Sequence, residues 1–396
     1  MYRCCPASAP LPPRAAHNAE VALSYLRRGL PVALLALVSL FGLPSGSLAH
    51  GAGGAPAPSF PATLFAWQPE PLPILGVAVV AAIYLWAVRR VNTRHPRNRV
   101  PRGRAVAFLA GLGAVLLALT SPIEAYEGQL FAVHMGQHML LELVAAPLLL
   151  VGAPITLSLR AASPSVRRGL LRVLQSRAVH VLAFPVVAWV LFAGVNWGWH
   201  FTSLYNDALE SVPLHYLQHG TFMAAALLFW WPAIGADPSP WRLPHPVRLL
   251  YLFLAMPQNS FLGVALLSAD RVLYPHYATD LRTWGPSVLD DQRLGGVIMW
   301  VFGDLAFLAG MVVVIAGWMR YEDKRTVRLD ARLDAEEAAR RAAAAHPASA
   351  QRESEDRVER HRAEEQRQVA DRIAKQPDRG GAAAERQAKT DGVQQE

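Results

Sequence analysis

Seven apolar runs, at about 72–88, 105–120, 130–151, 178–195, 214–234, 247–267 and 295–318, dominate the chain. Each is roughly 17 to 23 residues long, which is what a helix needs to cross about 30 Å of hydrocarbon. Buried helices of a soluble protein would carry charges through such windows. Here charges are almost absent, because a charge near the centre of a bilayer is expensive. The pattern predicts an all-α polytopic membrane protein, a seven-transmembrane-helix bundle over residues 72–320.

The loops give the bundle an orientation. RRVNTRHPRNRVPRGR (89–104) is densely basic, whereas the next loop, SPIEAYEGQ (121–129), carries Glu124 and Glu127 and no cation. Arg160, Arg167, Arg168, Arg172 and Arg177 follow the third run, and Asp207 and Glu210 follow the fourth. The positive-inside rule then predicts an N-out/C-in bundle, which an odd number of spans requires. The formal net charge of +8 is on this reading mostly a topology signal. No aromatic or groove-reading context accompanies the arginines, so the expected partner is the lipid bilayer and no nucleic acid.

Ahead of the first run, LRRGLPVALLALVSLFGLPSGSLAHGAGG has Arg27 and Arg28, a short apolar core and the small-residue pattern Ser47-Leu48-Ala49. Residues 1–49 read as a signal peptide cut after Ala49, with an uncleaved helix as the alternative. The n-region is unusually long, which fits a translation start downstream of Met1. Residues 50–71 then form an extracytoplasmic segment. Both cysteines, Cys4 and Cys5, lie in the part expected to be removed, so any metal site must use His, Met, carboxylate or backbone groups. From 321 to 396 the chain is rich in Ala, Arg, Glu, Asp and Gln with few large apolar residues. It reads as a charged cytoplasmic tail, a fraying helix passing into disorder.

The third run contains a contradiction. Within AVHMGQHMLLELVAAPLLLVGAP (132–154), His134, His138 and Glu142 recur every four residues, on one face of a helix. The fifth repeats the device in PLHYLQHGTFM, with His215, His219 and Met223, and His200 ends the fourth in NWGWH. By the predicted topology all five histidines lie toward the outer face. Imidazoles four residues apart can share an ion, and two facing pairs can build a four-nitrogen site. Met135, Met139 and Met223 add thioethers; imidazole with thioether suits copper, Cu(I) above all, with zinc open on ligand type alone.

The bland reading is that membrane histidines hydrogen-bond across helices. Haem is disfavoured, because adjacent imidazoles on one helix cannot supply both axial ligands, although His138 opposite His219 could clamp one. Glu142 and Asp304 are candidates for groups that orient an imidazole, ligate, or relay protons. Asn259 reads as an interhelical hydrogen bond, and Asp290 and Asp291 as either a cation-attracting mouth or a solvated helix start.

HMGQHMLLELVAAPLLLVGAP, NWGWHFTSLYNDAL, PLHYLQHGTFMAAALLFWWPAIG and DQRLGGVIMWVFGDLAF resemble, in that order, blocks of the CtaG-like family of bacterial cytochrome c oxidase assembly factors. These are polytopic membrane proteins, distinct from the single-span periplasmic copper chaperones that share the name. The resemblance covers roughly residues 65 to 320. It implies a non-enzymatic role in building a haem-copper oxidase in the bacterial plasma membrane, with copper supply to its active centre. The implied partners are cytochrome c oxidase subunits, with an extracytoplasmic copper chaperone as a further candidate. The matching positions are His134, His138, His200, His215 and His219, with Asp291 and Asp304 in the last block. A copper transporter would need a polar path through both membrane halves, and the inner halves offer little beyond Asn259 and Asp304. A membrane metalloenzyme would need a general base near the metal, for which Glu142 is the one obvious candidate.

Overall fold

The computed structural model describes residues 57–279, 282–345 and 347–374. The expected signal peptide, its cleavage point and both cysteines lie outside the described residues. Every regular element among those described is helical. Contacts divide the chain into two units, one up to Trp318 and one from Met319 onward.

In the first unit, α1 (Pro71–Arg94) and α2 (Arg102–Thr120) are followed by the short α3 (Pro122–Glu127). The next span begins as α4 (Phe131–Met139), passes through a π-helical turn at Leu140–Ala145, and continues as α5 (Ala146–Val151) and α6 (Pro154–Ala161). Two short helices, α7 (Pro164–Leu174) and α8 (Arg177–Leu182), lead to α9 (Pro185–Phe201). The small α10 (Leu204–Glu210), the longer α11 (Val212–Ile234) and α12 (His245–Leu267) follow. A single turn, α13 (His276–Thr279), precedes α14 (Val288–Ala345), and α15 covers Pro347–Ala374.

Among the described residues, five helical stretches are long and apolar enough to cross a membrane: Pro71–Arg94, Arg102–Glu127, Phe131–Ala161, His245–Leu267 and Val288–Ala342. The other two runs read as spans correspond to α9 and α11. Helix α9 has 17 residues, and α11 has 23 but carries His215, Gln218 and His219. The fourth run also starts later than its apolar pattern suggests. Instead of running on from 178, the chain ends α8 at Leu182 and restarts at Pro185, which occupies the first turn of α9. A proline lacks an N–H and disfavours helical backbone before it, so it begins a helix far more readily than it continues one. The shift places Asn196 and His200 inside α9.

Helix α2 packs along α5 and the π-turn, α11 packs against α5 and α9, and α1 lies on α2 and α6. Among lipid tails, apolar burial gives helices little reason to associate, so close fit and small residues must do so. Gly111 of α2 shows the tolerance: a Cβ there would lie 2.9 Å from the backbone nitrogen of Leu149 and 3.1 Å from the carbonyl oxygen of Ala145. Gly263 of α12 and Gly296 of α14 do the same reciprocally, each Cβ falling 2.7 Å from the other's carbonyl oxygen. Deeper in, Phe229 stacks on Phe192 at 4.6 Å and on Tyr251 at 4.8 Å between ring centres. Asn259 makes the interhelical bond expected of it, its Nδ2 donating to the Met299 carbonyl at 2.9 Å.

The second unit, from Met319, is helical where described, and most of its described charged residues are exposed. It carries i,i+3 and i,i+4 pairs, Arg325 with Glu322 at 3.5 Å and Arg341 with Glu337 at 2.5 Å. Exposed pairs of this kind stabilise a helix by only about 0.3–0.5 kcal/mol each.

Candidate metal centre

The two His-x3-His pairs come together. Ring centres lie 4.4 Å apart within each pair, His134 with His138 and His215 with His219. Across the pairs, His134 lies 5.3 Å from His215, and His138 lies 5.3 Å from His219. All four are buried. The Nε2 atoms of His134 and His138 approach to 2.9 Å. One must carry a proton and the other a lone pair, unless both lone pairs point at a shared ion. His138 Nδ1 and His219 Nε2 have no hydrogen-bond partner among the described residues. A buried imidazole nitrogen without a partner is costly, and a bound cation removes that cost. The donor set fits a metal on this ground: nitrogens of His134, His138 and His219 lie within 4.8 Å of one another.

A carboxylate enters the cluster from a neighbouring element. Glu127, fully buried at the end of α3, places Oε2 2.9 Å from His134 Nδ1 and 3.7 Å from His215 Nε2. Glu127, His134 and His215 form a second close group of potential ligands. Tyr277 closes this side from α13. Its hydroxyl lies 3.0 Å from His134 Nδ1 and donates to the Glu127 carbonyl at 3.2 Å. Burial, with the Glu127 charge nearby, pushes the Tyr277 phenol well above its ordinary value of 10.0, so it stays a proton donor. Tyr205 packs beside His134 with ring centres 5.4 Å apart.

The remaining sequence candidates are placed around this centre or away from it. His200 Nδ1 donates to the Asn196 carbonyl, 2.7 Å away, and its Nε2 lies 3.5 Å from Met135 Sδ. It belongs to neither ligand group. Met139 and Met223 are buried in the apolar core. Glu142 sits in the π-turn, where Asn196 Nδ2 donates to its Oε2 at 3.0 Å and Trp230 Nε1 to its backbone carbonyl at 3.0 Å. A π-turn frees a carbonyl from the regular ladder, and the indole satisfies it. Asp304 accepts from Ser260 Oγ at 2.8 Å.

Asp291 does structural work for the site. Its carboxylate accepts from the backbone N–H groups of Phe131 (2.8 Å) and Ala132 (3.3 Å), and Arg282 stands 3.4 Å away. It therefore caps α4, the helix that carries His134 and His138, across a sequence separation of 160 residues. Such a cap satisfies first-turn donors and favours the positive end of the helix dipole. Asp290, one residue earlier, is exposed and pairs with Ser287.

Residues 82–321 match the family model described as cytochrome c oxidase caa3 assembly factor. The chain belongs to this family. It is also 32% identical over 287 residues to the uncharacterized proteins Mb0105 of Mycobacterium bovis and MT0111 of Mycobacterium tuberculosis, covering 70% of this chain and 43% of each of theirs. The uncharacterized protein ML1998 of Mycobacterium leprae is 32% identical over 269 residues, 66% of this chain and 40% of its own. The chain thus spans less than half the length of these relatives. No solved structure matches it.

Sequence reasoning missed Glu127, Tyr205 and Tyr277. Glu127 stands seven residues before His134, but the helix is interrupted between them, and it reads as one of the acids of an outer loop. Tyr277 reaches the site from 143 residues away with no local pattern to announce it.

Proposed function

We propose that this assembly factor is a seven-span, N-out/C-in protein of the bacterial plasma membrane that binds Cu(I) at its buried histidine cluster and assists its insertion into the oxidase. In this reading α9 and α11 are the two further spans, their polar residues tolerated because they face the cluster rather than lipid. The observation that carries it is the meeting of His134, His138 and His219 in a buried site with unpartnered nitrogens. The cargo ion binds there; the chain's own residues hold it, exclude water and orient the rings. His200 with Met135 offers an adjoining nitrogen and thioether, a softer pair suited to Cu(I). Haem fits less well. The His138 and His219 rings meet edge to face at 5.3 Å, which leaves no slot for a planar macrocycle.

The test is copper content of the detergent-purified full-length protein after Cu(I) loading, beside a His138→Ala/His219→Ala variant and a milder His138→Asn/His219→Asn one. Near-stoichiometric copper in the wild type, lost in a monodisperse variant, supports the reading. Copper absent from the wild type, or equally retained by both variants, overturns it. Proteoliposome flux separates delivery from transport, since an assembly factor binds without net uptake.

A further inference from the structure

The two ligand groups meet on opposite edges of one ring. His134 presents Nε2 to His138 at 2.9 Å and Nδ1 to Glu127 at 2.9 Å. The geometry points to a second cation station, made by Glu127, His134 Nδ1 and His215, that takes a divalent ion such as Zn(II) and competes with the Cu(I) station for His134. This inference rests on the proposed copper reading for its second partner only.

Three observations support it. The first is donor spacing: Glu127 Oε2 lies 2.9 Å from His134 Nδ1 and 3.7 Å from His215 Nε2. Ligands on a tetrahedral ion at 2.0–2.2 Å sit about 3.4 Å apart, so small adjustments of both distances close a site. The second is donor chemistry. A carboxylate with imidazoles suits Zn(II) or Cu(II), whereas the all-nitrogen group beside a thioether suits the softer Cu(I). The third is that the Tyr277 hydroxyl stands 3.0 Å from the same Nδ1 and donates to the Glu127 carbonyl, placed to orient the carboxylate side of the station.

The sharing follows from the ring itself. Neutral imidazole has one proton and one lone pair. With an ion at Nδ1, the proton sits on Nε2 and faces His138. With an ion at Nε2, the proton sits on Nδ1 and faces Glu127 and Tyr277. Either tautomer serves one station and leaves the other short of a ligand, so occupancy of one lowers affinity at the other.

The experiment titrates Zn(II) and, separately under reducing conditions, Cu(I) into the full-length detergent-solubilised protein, in wild type, Glu127→Gln, His215→Asn, His138→Asn/His219→Asn and His134→Ala. Monodispersity and thermal unfolding are recorded for each. Glu127→Gln and His215→Asn are expected to weaken Zn(II) at least a hundredfold and change Cu(I) less than tenfold. The His138→Asn/His219→Asn pair does the reverse, His134→Ala weakens both, and Cu(I)-loaded wild type binds Zn(II) at least tenfold more weakly. Zn(II) affinity unmoved by Glu127→Gln and His215→Asn, or Zn(II) binding that follows His138 and His219 instead, overturns the second station. Additive binding of both ions without mutual weakening overturns the sharing. Loss of Cu(I) binding in the wild type with Zn(II) behaviour as described removes the copper reading and leaves the divalent station standing.

Discussion

This protein buries two kinds of polar group. Asp291 and Asp237 each spend a carboxylate on the backbone of another helix. Asp291 caps α4 through Phe131 and Ala132, and Asp237 accepts from Ile155 (3.0 Å) and Thr156 (2.6 Å) at the start of α6. The histidine cluster is the opposite case. Its rings face one another, and His138 Nδ1 and His219 Nε2 have no partner among the described residues. A buried group kept for stability is satisfied by the fold, whereas one kept for binding is left for a ligand to satisfy.

Breaking either cap should cost most. Asp291→Ala strands two buried N–H donors, at about 1–3 kcal/mol each, so a loss of roughly 2–6 kcal/mol is expected in reversible unfolding in micelles. Because α4 carries His134, Cu(I) affinity should fall with it. Asp237→Ala should lose a similar stability while copper binding is unchanged, which separates the scaffold from the site. Next in size is Gly263→Val, which forces α12 away from Gly296 of α14 and should cost about 1–3 kcal/mol by overpacking.

Ser260→Ala removes the partner of Asp304 and should cost only about 1 kcal/mol. The smallest stability change is expected for His219→Leu. Exchanging a ring with an unpartnered nitrogen for an apolar side chain of similar size should leave the metal-free unfolding curve within about 0.5 kcal/mol, yet abolish copper retention. A large destabilisation there would place His219 with the structural groups and break the comparison.

The same division decides what the sequence could reveal. The histidine pairs are legible because their logic is local: a four-residue spacing on an apolar helix can be read without knowing the fold. The helical class and most apolar spans are legible for the same reason. Glu127 is not, because its role depends on the helix interruption at 128–130 that sets α3 against α4. Asp291 reads as a mouth or a helix start, since nothing near it in sequence mentions Phe131. The late start of α9 was written in Pro185, but the apolar run hides it. Glu142 is visible as an anomaly, while the π-turn that surrounds it leaves no residue signature.

That turn has a consequence for how the third span can change over time. Its extra residue sets the half bearing His134 and His138 out of step with the half whose Ala145 and Leu149 abut Gly111. Since each residue turns a helix by about 100°, deleting a single codon within 140–145 would let the turn close as ordinary α-helix and rotate one half against the other. Either the histidines or the small-residue contact with α2 would keep its partner, but not both. The span is in effect two separately keyed pieces joined by a one-residue offset, and substitutions can tune each piece freely only while that offset is inherited intact.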